Sequence, residues 1–427
     1  MKKLKAEDAR ILIIGSGGRE HAIGIQMEND GVENIFFAPG NGGTAMFGTN
    51  VPISPNDFTG LNEFVKKEEI DLIIVGPEDP LAGGIVDFFR RRNVPIIGPT
   101  KEAAQLESNK AFARIRMEDA DIPQPIYLIS PDREQTEEML GITGLPVVLK
   151  FSGLAAGKGA FVCHTESDIK EALKAIYEDK KFGEGPVLIE ECLSGQEMSV
   201  FVLCNENSHV IIGTAQDYKR LLDGDKGPNT GGMGSISPSP LLTRYPDLME
   251  KIETKIIVPI LKEMKNNHLP FTGFLYCGLM ITDGEPYVIE FNCRMGDPET
   301  QVVLPLIKSN LFKLLWRTAN NEDLAAKKLK FYDHLAAAFV VKVAGGYPGD
   351  YRKGDMIETP DSESAWCEII HAGTKLNDKE ELVTNGGRVI GVLGLADSLF
   401  EAVENVYEDL DKIHFKDEFC RRDIGKF

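Results

Sequence analysis

The chain has 427 residues, 42% of them apolar, with 47 Lys and Arg against 66 Asp and Glu. The net charge of −19 disfavours a nucleic-acid partner, because non-specific binding to a phosphate backbone depends on Lys and Arg that neutralise it. Seven cysteines without a C-x-x-C pair read as reduced packing thiols. No run approaches the ~18 apolar residues of a membrane span, and the apolar stretch 11–14 after the basic start is too short for a signal peptide, so a soluble cytoplasmic protein of two to four domains is expected.

Residues 10–100 alternate strongly. Apolar runs at 10–14, 34–38, 71–75 and 94–98 read as strands, and helical patterns lie at 19–29, 57–69 and 84–93. Strands alternating with helices through short connections imply a parallel sheet with covering helices. Three Gly- or Pro-rich segments follow these strands: "GSGGRE" (15–20), "PGNGG" (39–43) and "GPEDP" (76–80). Open α/β sheets bind ligands at the carboxyl ends of their strands. A dinucleotide fingerprint would need a third glycine where Glu20 stands. The amides of Gly17 and Gly18 at a helix start suit a phosphate, and the same glycines suit a tight turn; both remain open.

From 123 to 190 the pattern gives strands and one helix, at 166–179. The strand-like runs 145–150 and 160–165 flank "GLAAGKG" (153–159). This is not a P-loop, which leaves four residues between its glycines, places Ser or Thr after the lysine and leads into a helix. Gly153 and Gly157 are separated by three residues, Gly159 follows Lys158, and the segment joins two strands, so it reads as a flap that can lie over phosphates. Lys150 ends a buried strand, where a lone lysine needs an anionic partner. Lys110 taken alone is an ordinary helix residue. In "VLIEECLSGQE" (187–197) a strand edge can meet a base through its backbone, and Glu197 can accept from ribose hydroxyls; in isolation a solvated turn is the simpler account. In 214–238, Asp217, Lys219 and Arg220 precede "NTGGMG", whose glycines let amides approach an anion.

The run "YVIEFN" (287–292) alternates, which puts Glu290 and Asn292 on one face and Phe291 on the other. A carboxylate and an amide oxygen side by side suit a hard cation such as magnesium; a solvated polar face is the alternative, and the nearby Arg294, Asp297 and Glu299 favour the cation. Residues 297–320 read as one long helix with Asp297 as N-cap and Pro298 at its first position. Beyond 331 come strand-like stretches at 335–344, 368–373 and 388–396, and a helix at 398–413.

In this order the pieces resemble ATP-grasp enzymes, which hold ATP between two sheets under a Gly-rich flap. The segments "GSGGREHA", "APGNGGTA", "IVGPEDPL", "GLAAGKG", "QDYKR", "GPNTGGMG", "EFNCRMGDPETQ", "GGYPGDYRKGD", "HAGTK", "TNGGRV" and "RRDIG" are together similar to the phosphoribosylamine–glycine ligase family. The resemblance covers about residues 10–425. Met295 stands where relatives commonly have Phe, an apolar exchange that should be tolerated.

The fold implied is α/β and α+β multidomain: a Rossmann-like N-terminal domain (1–105), an ATP-grasp core (106–122 and 191–330), a lid with the flap (123–190) and a mostly β C-terminal domain (331–427). The activity implied is ATP-dependent joining of glycine to 5-phosphoribosylamine through glycyl phosphate. The resemblance places ATP on Lys110, Lys150, Gly157, Lys158, Glu190, Glu191, Leu193 and Glu197, and Mg²⁺ or Mn²⁺ on Glu290 and Asn292. It places the other substrates on Gly17, Gly18, Glu20, Asn41, Asp217, Gly231, Gly232, Met233, Arg294 and Asp297, with Arg294, Asp217 and Lys158 as the catalytic set. The small-molecule substrates are the expected partners, with no nucleic acid or membrane, in a monomer or weak dimer. Competing expectations are a sibling ATP-grasp carboxylate–amine ligase, a nicotinamide-dependent oxidoreductase, against which Glu20 argues, and a non-catalytic nucleotide sensor.

Overall fold

The computed structural model describes residues 4–426 apart from 156, 327, 361 and 363. The N-terminal sheet has five parallel strands in the order β3-β2-β1-β4-β5. They are β1 (Arg10–Gly15), β2 (Asn34–Pro39), β3 (Thr49–Asn50), β4 (Leu72–Val75) and β5 (Ile96–Ile97). Ile11 to Ile14 and Leu72 to Val75 are buried on both faces, as a sheet covered by helices requires. The helix expected at 84–93 is present as Ile85–Arg90, and a second helix not expected there, Glu78–Gly83, precedes it and meets it at Gly84 with φ of +93°.

The lid sheet is antiparallel in the order β6-β9-β7-β8, from β6 (Tyr127–Ser130), β7 (Val147–Phe151), β8 (Ala160–Cys163) and β9 (Val187–Glu191). Lys150 pairs with Ala160 at the end of the β7–β8 hairpin, so the flap is its connecting loop. Two helices belong here, not one. Arg133–Thr143 leaves little apolar pattern in the sequence because its buried face is so small: of its residues only Thr136 is buried. The Asp132 side chain, which accepts from the Gln135 amide, marks its start.

The largest sheet has eight antiparallel strands in the order β16-β15-β10-β11-β14-β17-β21-β18. Its strands are β10 (Gln196–Cys204), β11 (His209–Asp217), β14 (Gly234–Ser237), β15 (Gly273–Thr282), β16 (Glu285–Asn292), β17 (Ala336–Val343), β18 (Cys367–His371) and β21 (Arg388–Ala396). Two short hairpins, β12 (Arg220–Leu222) with β13 (Lys226–Asn229) and β19 (Thr374–Leu376) with β20 (Leu382–Thr384), complete the strands. The sheet therefore runs without a break from the Glu290 strand into the C-terminal segment.

The single helix expected over 297–320 is broken. Thr300–Val303 passes into a 3-10 turn, Leu304–Leu306, and a new helix, Leu311–Ala319, is capped by Asn310. Pro305 is the cause, since it lacks the N–H and its ring crowds the carbonyl four residues back. Asp297 is not the N-cap; that position falls on Glu299. The Asp297 carboxylate instead accepts from Gln301 at 2.8 Å and pairs with Arg388 at 3.0 Å.

Candidate active site

A cleft of about 1280 Å³ opens between the lid, the eight-stranded sheet and the N-terminal sheet. Glu290 and Asn292 both line it, and the Phe291 side chain belongs to the hydrophobic core at 2% exposure, in keeping with alternation along β16. Neither the Glu290 nor the Asn292 side chain is held by a hydrogen bond or ion pair among the described residues, so their oxygens remain free to ligate. Burial pushes the Glu290 pKa up, but the charges of Lys219, Lys150, Lys110 and Arg294 outweigh it and hold the carboxyl below its usual range. Among the described residues no group of three His, Cys, Asp or Glu forms a metal cage. An ionised carboxylate beside one amide oxygen therefore fits a magnesium ion that keeps waters and substrate phosphates as its other ligands.

Lys150 is 5% exposed and finds its anion in Glu190 at 2.8 Å; its Nζ also donates to the Ile289 carbonyl at 3.2 Å. Glu190 in turn is held by both arms of Arg114, at 2.8 and 2.9 Å. Its carboxylate thus serves to fix two cations and is not a free ligand. Lys110 is no ordinary surface residue: its Nζ donates to the carbonyl of Gly153 at 3.1 Å, and burial pulls its pKa down. Glu191 to Glu197 line the far end of the cleft, with Val148, Met280 and Ile289 as an apolar wall. Glu197 is half exposed and pairs with Lys219 at 2.7 Å.

The flap keeps little packing of its own. A Cβ at Gly157, which has φ of +73°, would meet nothing within 4 Å; Ala156 lies outside the described residues. Lys158 is exposed, and its Nζ reaches the Pro348 carbonyl at 3.4 Å. A glycine-rich loop loses much entropy on ordering and gains charge-assisted bonds only with an anion present. Amide hydrogen exchange over 150–162 is therefore expected to slow strongly on adding a non-hydrolysable ATP analogue with magnesium. Equal protection with and without the analogue would make the hairpin a rigid structural element.

Several polar groups of the Gly-rich turns already meet groups of the chain itself. The Gly17 amide donates to Glu20 at 2.6 Å, and Glu20 pairs with Arg19 at 2.6 Å. Asp297 Oδ2 lies 3.3 Å from where a Gly17 Cβ would stand, and Gln301 Nε2 lies 2.6 Å from the Gly18 position. A carboxylate of the chain itself thus sits at this helix start, where an anion is favoured. Asn41 is engaged throughout: its amide donates to the carbonyls of Ser16 and His371, and its Oδ1 accepts from Gly43 and Thr44.

In "NTGGMG", the Gly231 N–H goes to the Tyr347 hydroxyl, Gly232 to Thr230 Oγ1 and Met233 to the Tyr218 carbonyl. The Met233 side chain is fully buried. These amides do not form an open anion cradle. The loop acts through its shape: Gly232, at φ of +106°, brings the chain against Pro298 and Asp217, where a Cβ would lie 2.3 Å from the proline Cδ.

Asp217, Arg294 and Asp297 do face the cleft. Asp217 Oδ1 is buried without a hydrogen-bond partner. Burial first, and then the neighbouring Glu299, raise the Asp217 pKa well above the carboxylate range. Arg294 pairs with Glu107 at 2.9 Å and Glu78 at 3.4 Å, which keep the guanidinium charged despite burial. Several lining residues had no place in the sequence-derived set: Arg19, Glu78, Glu107, Arg114 and Arg388. Arg19, Glu78 and Arg388 sit inside motifs that could have pointed to them. Nothing local distinguishes Arg114 or Glu107: Glu190, the carboxylate that Arg114 grips, lies 76 positions away, and the Cys293 amide that Glu107 accepts from lies 186 away.

Three family models match the chain: the N domain of phosphoribosylglycinamide synthetase over 9–107, its ATP-grasp (A) domain over 108–300 and its C domain over 337–427. A phosphoribosylamine–glycine ligase of Chlorobaculum tepidum is 43% identical over 425 residues, covering 97% of this chain and 99% of that one. The enzyme of the same name from Escherichia coli K12 is 44% identical over 424 residues, covering 97% and 98%. The crystal structure of a phosphoribosylamine–glycine ligase from Thermotoga maritima superposes with a TM-score of 0.85 at 35% identity, covering 97% of this chain and all of that one. With the three models spanning most of its length, the chain belongs to the phosphoribosylglycinamide synthetase family of ATP-grasp ligases.

Proposed function

We propose that the protein joins glycine to 5-phosphoribosylamine at the expense of ATP, giving glycinamide ribonucleotide, ADP and phosphate in purine biosynthesis. The observation that carries this is one cleft in which an unpaired carboxylate and amide on β16, Glu290 and Asn292, are ringed by Lys110, Lys150, Lys219 and Arg294. Such a ring suits a phosphoryl group that must be transferred between two oxygens, where positioning and charge neutralisation do most of the work. The glycine carboxylate takes the γ-phosphoryl group to form glycyl phosphate; the amine then attacks the carbonyl carbon, and phosphate leaves.

The lining suggests a division of labour. Adenine is assigned to the strand edge at 191–193 and the apolar wall of Val148, Met280 and Ile289, and ribose to Glu197. Lys110, Lys150 and the flap at Gly157 and Lys158 are assigned to the phosphates. Glu290 and Asn292 are assigned magnesium or manganese, which when bound supplies Lewis-acid neutralisation of phosphate charge. Arg294 and Asp217 face glycine and the amine, and the unpartnered Asp217 oxygen is positioned to accept a hydrogen bond from an amino group. Closure of the flap would keep water from glycyl phosphate.

The test is ADP release with glycine and freshly generated phosphoribosylamine, omitting each in turn; release independent of either substrate would refute the assignment. Alanine in place of glycine adds a methyl to a tight polar site, where overpacking costs on the order of 1–3 kcal/mol. Alanine is therefore expected to be a poor substrate, and equal kcat/KM for the two would exclude a glycine-specific site.

A further inference from the structure

The loop at 345–351 has no part in the assignments above, yet it touches both Gly-rich segments of the cleft. Gly231 is gripped at both ends: its N–H donates to the Tyr347 hydroxyl at 2.9 Å, and its carbonyl accepts from Arg388, which also binds the Asp297 carbonyl and carboxylate. The Tyr347 ring is itself fixed. It lies against Gly387, where a Cβ would fall 2.4 Å from its Cδ2, and beside Tyr351 with ring centroids 6.4 Å apart. The next residue, Pro348, offers its carbonyl to Lys158 at the flap. Beyond Gly231, the turn at Gly232 presses on Asp217, whose Oδ1 lies 2.7 Å from the Gly232 Cβ position.

A two-glycine turn has little to define it from within. Thr230 Oγ1 holds Gly232 from within the loop, and Gly231 itself is held by a phenol hydroxyl and a guanidinium on the C-terminal segment. We propose that Tyr347 is a positioning residue: it sets the Gly231–Gly232 turn against Asp217 and, through Pro348, ties that turn to the flap, so that the substrate side of the cleft and the flap order together. The link explains how a segment remote from the nucleotide can bear on water exclusion. A flap that closes without the turn in place would leave glycyl phosphate open to hydrolysis. The proposal rests on the activity assigned above.

The experiment compares Tyr347→Phe, Tyr351→Phe and the wild type as full chains, with ATP, glycine and phosphoribosylamine. Tyr347→Phe keeps the ring and removes the side-chain acceptor that holds the Gly231 N–H in place. It is expected to raise KM for glycine or phosphoribosylamine about tenfold, the effect of losing one such bond, with KM for ATP and the thermal midpoint unchanged. ADP formed per ligated product should rise above one. Tyr351→Phe, whose hydroxyl makes no hydrogen bond among the described residues, should match the wild type. An unchanged KM for both substrates with one ADP per product overturns the proposal, as does an equal rise in the KM for ATP with a lowered midpoint.

Hydrogen exchange with the ATP analogue separates the two assignments, because it needs no turnover. Tyr347→Phe should lose protection at 231–233 and at 157–160 together, and loss at neither or at only one of them removes the coupling. A wild type that releases no ADP with both substrates would instead overturn the activity, and the exchange result would still decide the role of Tyr347.

Discussion

Glu290→Gln should lower turnover by about 10²–10⁴-fold, the loss expected when several kcal/mol of Lewis-acid stabilisation is withdrawn from a phosphoryl transfer. The exchange preserves shape and removes one negative charge from a site where Lys110, Lys150, Lys219 and Arg294 all contribute positive potential. Once the carboxylate is gone, the field of the remaining cations opposes binding of a divalent ion. Two measurements check this: turnover at saturating magnesium, and Mn²⁺ affinity in the presence of ADP, read by electron paramagnetic resonance. Near-normal turnover with unchanged Mn²⁺ affinity would take Glu290 out of the metal site.

Arg294→Met is expected to cost both activity and stability. Arg294 stands between Glu107, which is buried, and Glu78, which reaches in from the helix that follows β4. Removing one member of a buried ion cluster leaves the others uncompensated, at about 3–5 kcal/mol. The apparent thermal midpoint should fall clearly, and ligation should be lost even at temperatures where the variant is folded. Arg294→Lys keeps the charge but not the planar fork that spans two carboxylates; it should recover part of the midpoint and less of the turnover. A methionine variant with the wild-type midpoint would mean that Glu78 and Glu107 do not depend on this charge.

What could be read from the sequence was what depends on local pattern. The buried parallel strands β1, β2 and β4 announce themselves as unbroken apolar runs, and the two-residue period of β16 puts Glu290 and Asn292 on one face before any fold is known. The flap was legible because its flanks are β-branched and no helix follows. What escaped depends on contacts distant in sequence. Arg114 looks like any helix arginine until Glu190 arrives beside it. The amides of Gly17, Gly231 and Gly232 look available for an anion until Glu20, Tyr347 and Thr230 occupy them. The helix at 297–320 broke at Pro305 because an apolar 3.6-residue rhythm continued through a residue that the backbone geometry cannot accommodate.

The uninterrupted eight-stranded sheet also dictates an order of events while the chain is being made. Gly234 of β14 stands opposite Val340 of β17, so Lys110, Lys150, Lys219, Glu290 and Arg294 have all been synthesised before the strand that pairs with the free edge of β14. Until then β14 waits with one edge unpaired, which is the usual template for pairing with a wrong chain. The waiting edge is short, four residues from Gly234 to Ser237, and Pro238 follows it at once. Both features blunt edge pairing. A nascent chain of this protein thus carries its own protection at the point where its sheet is longest incomplete.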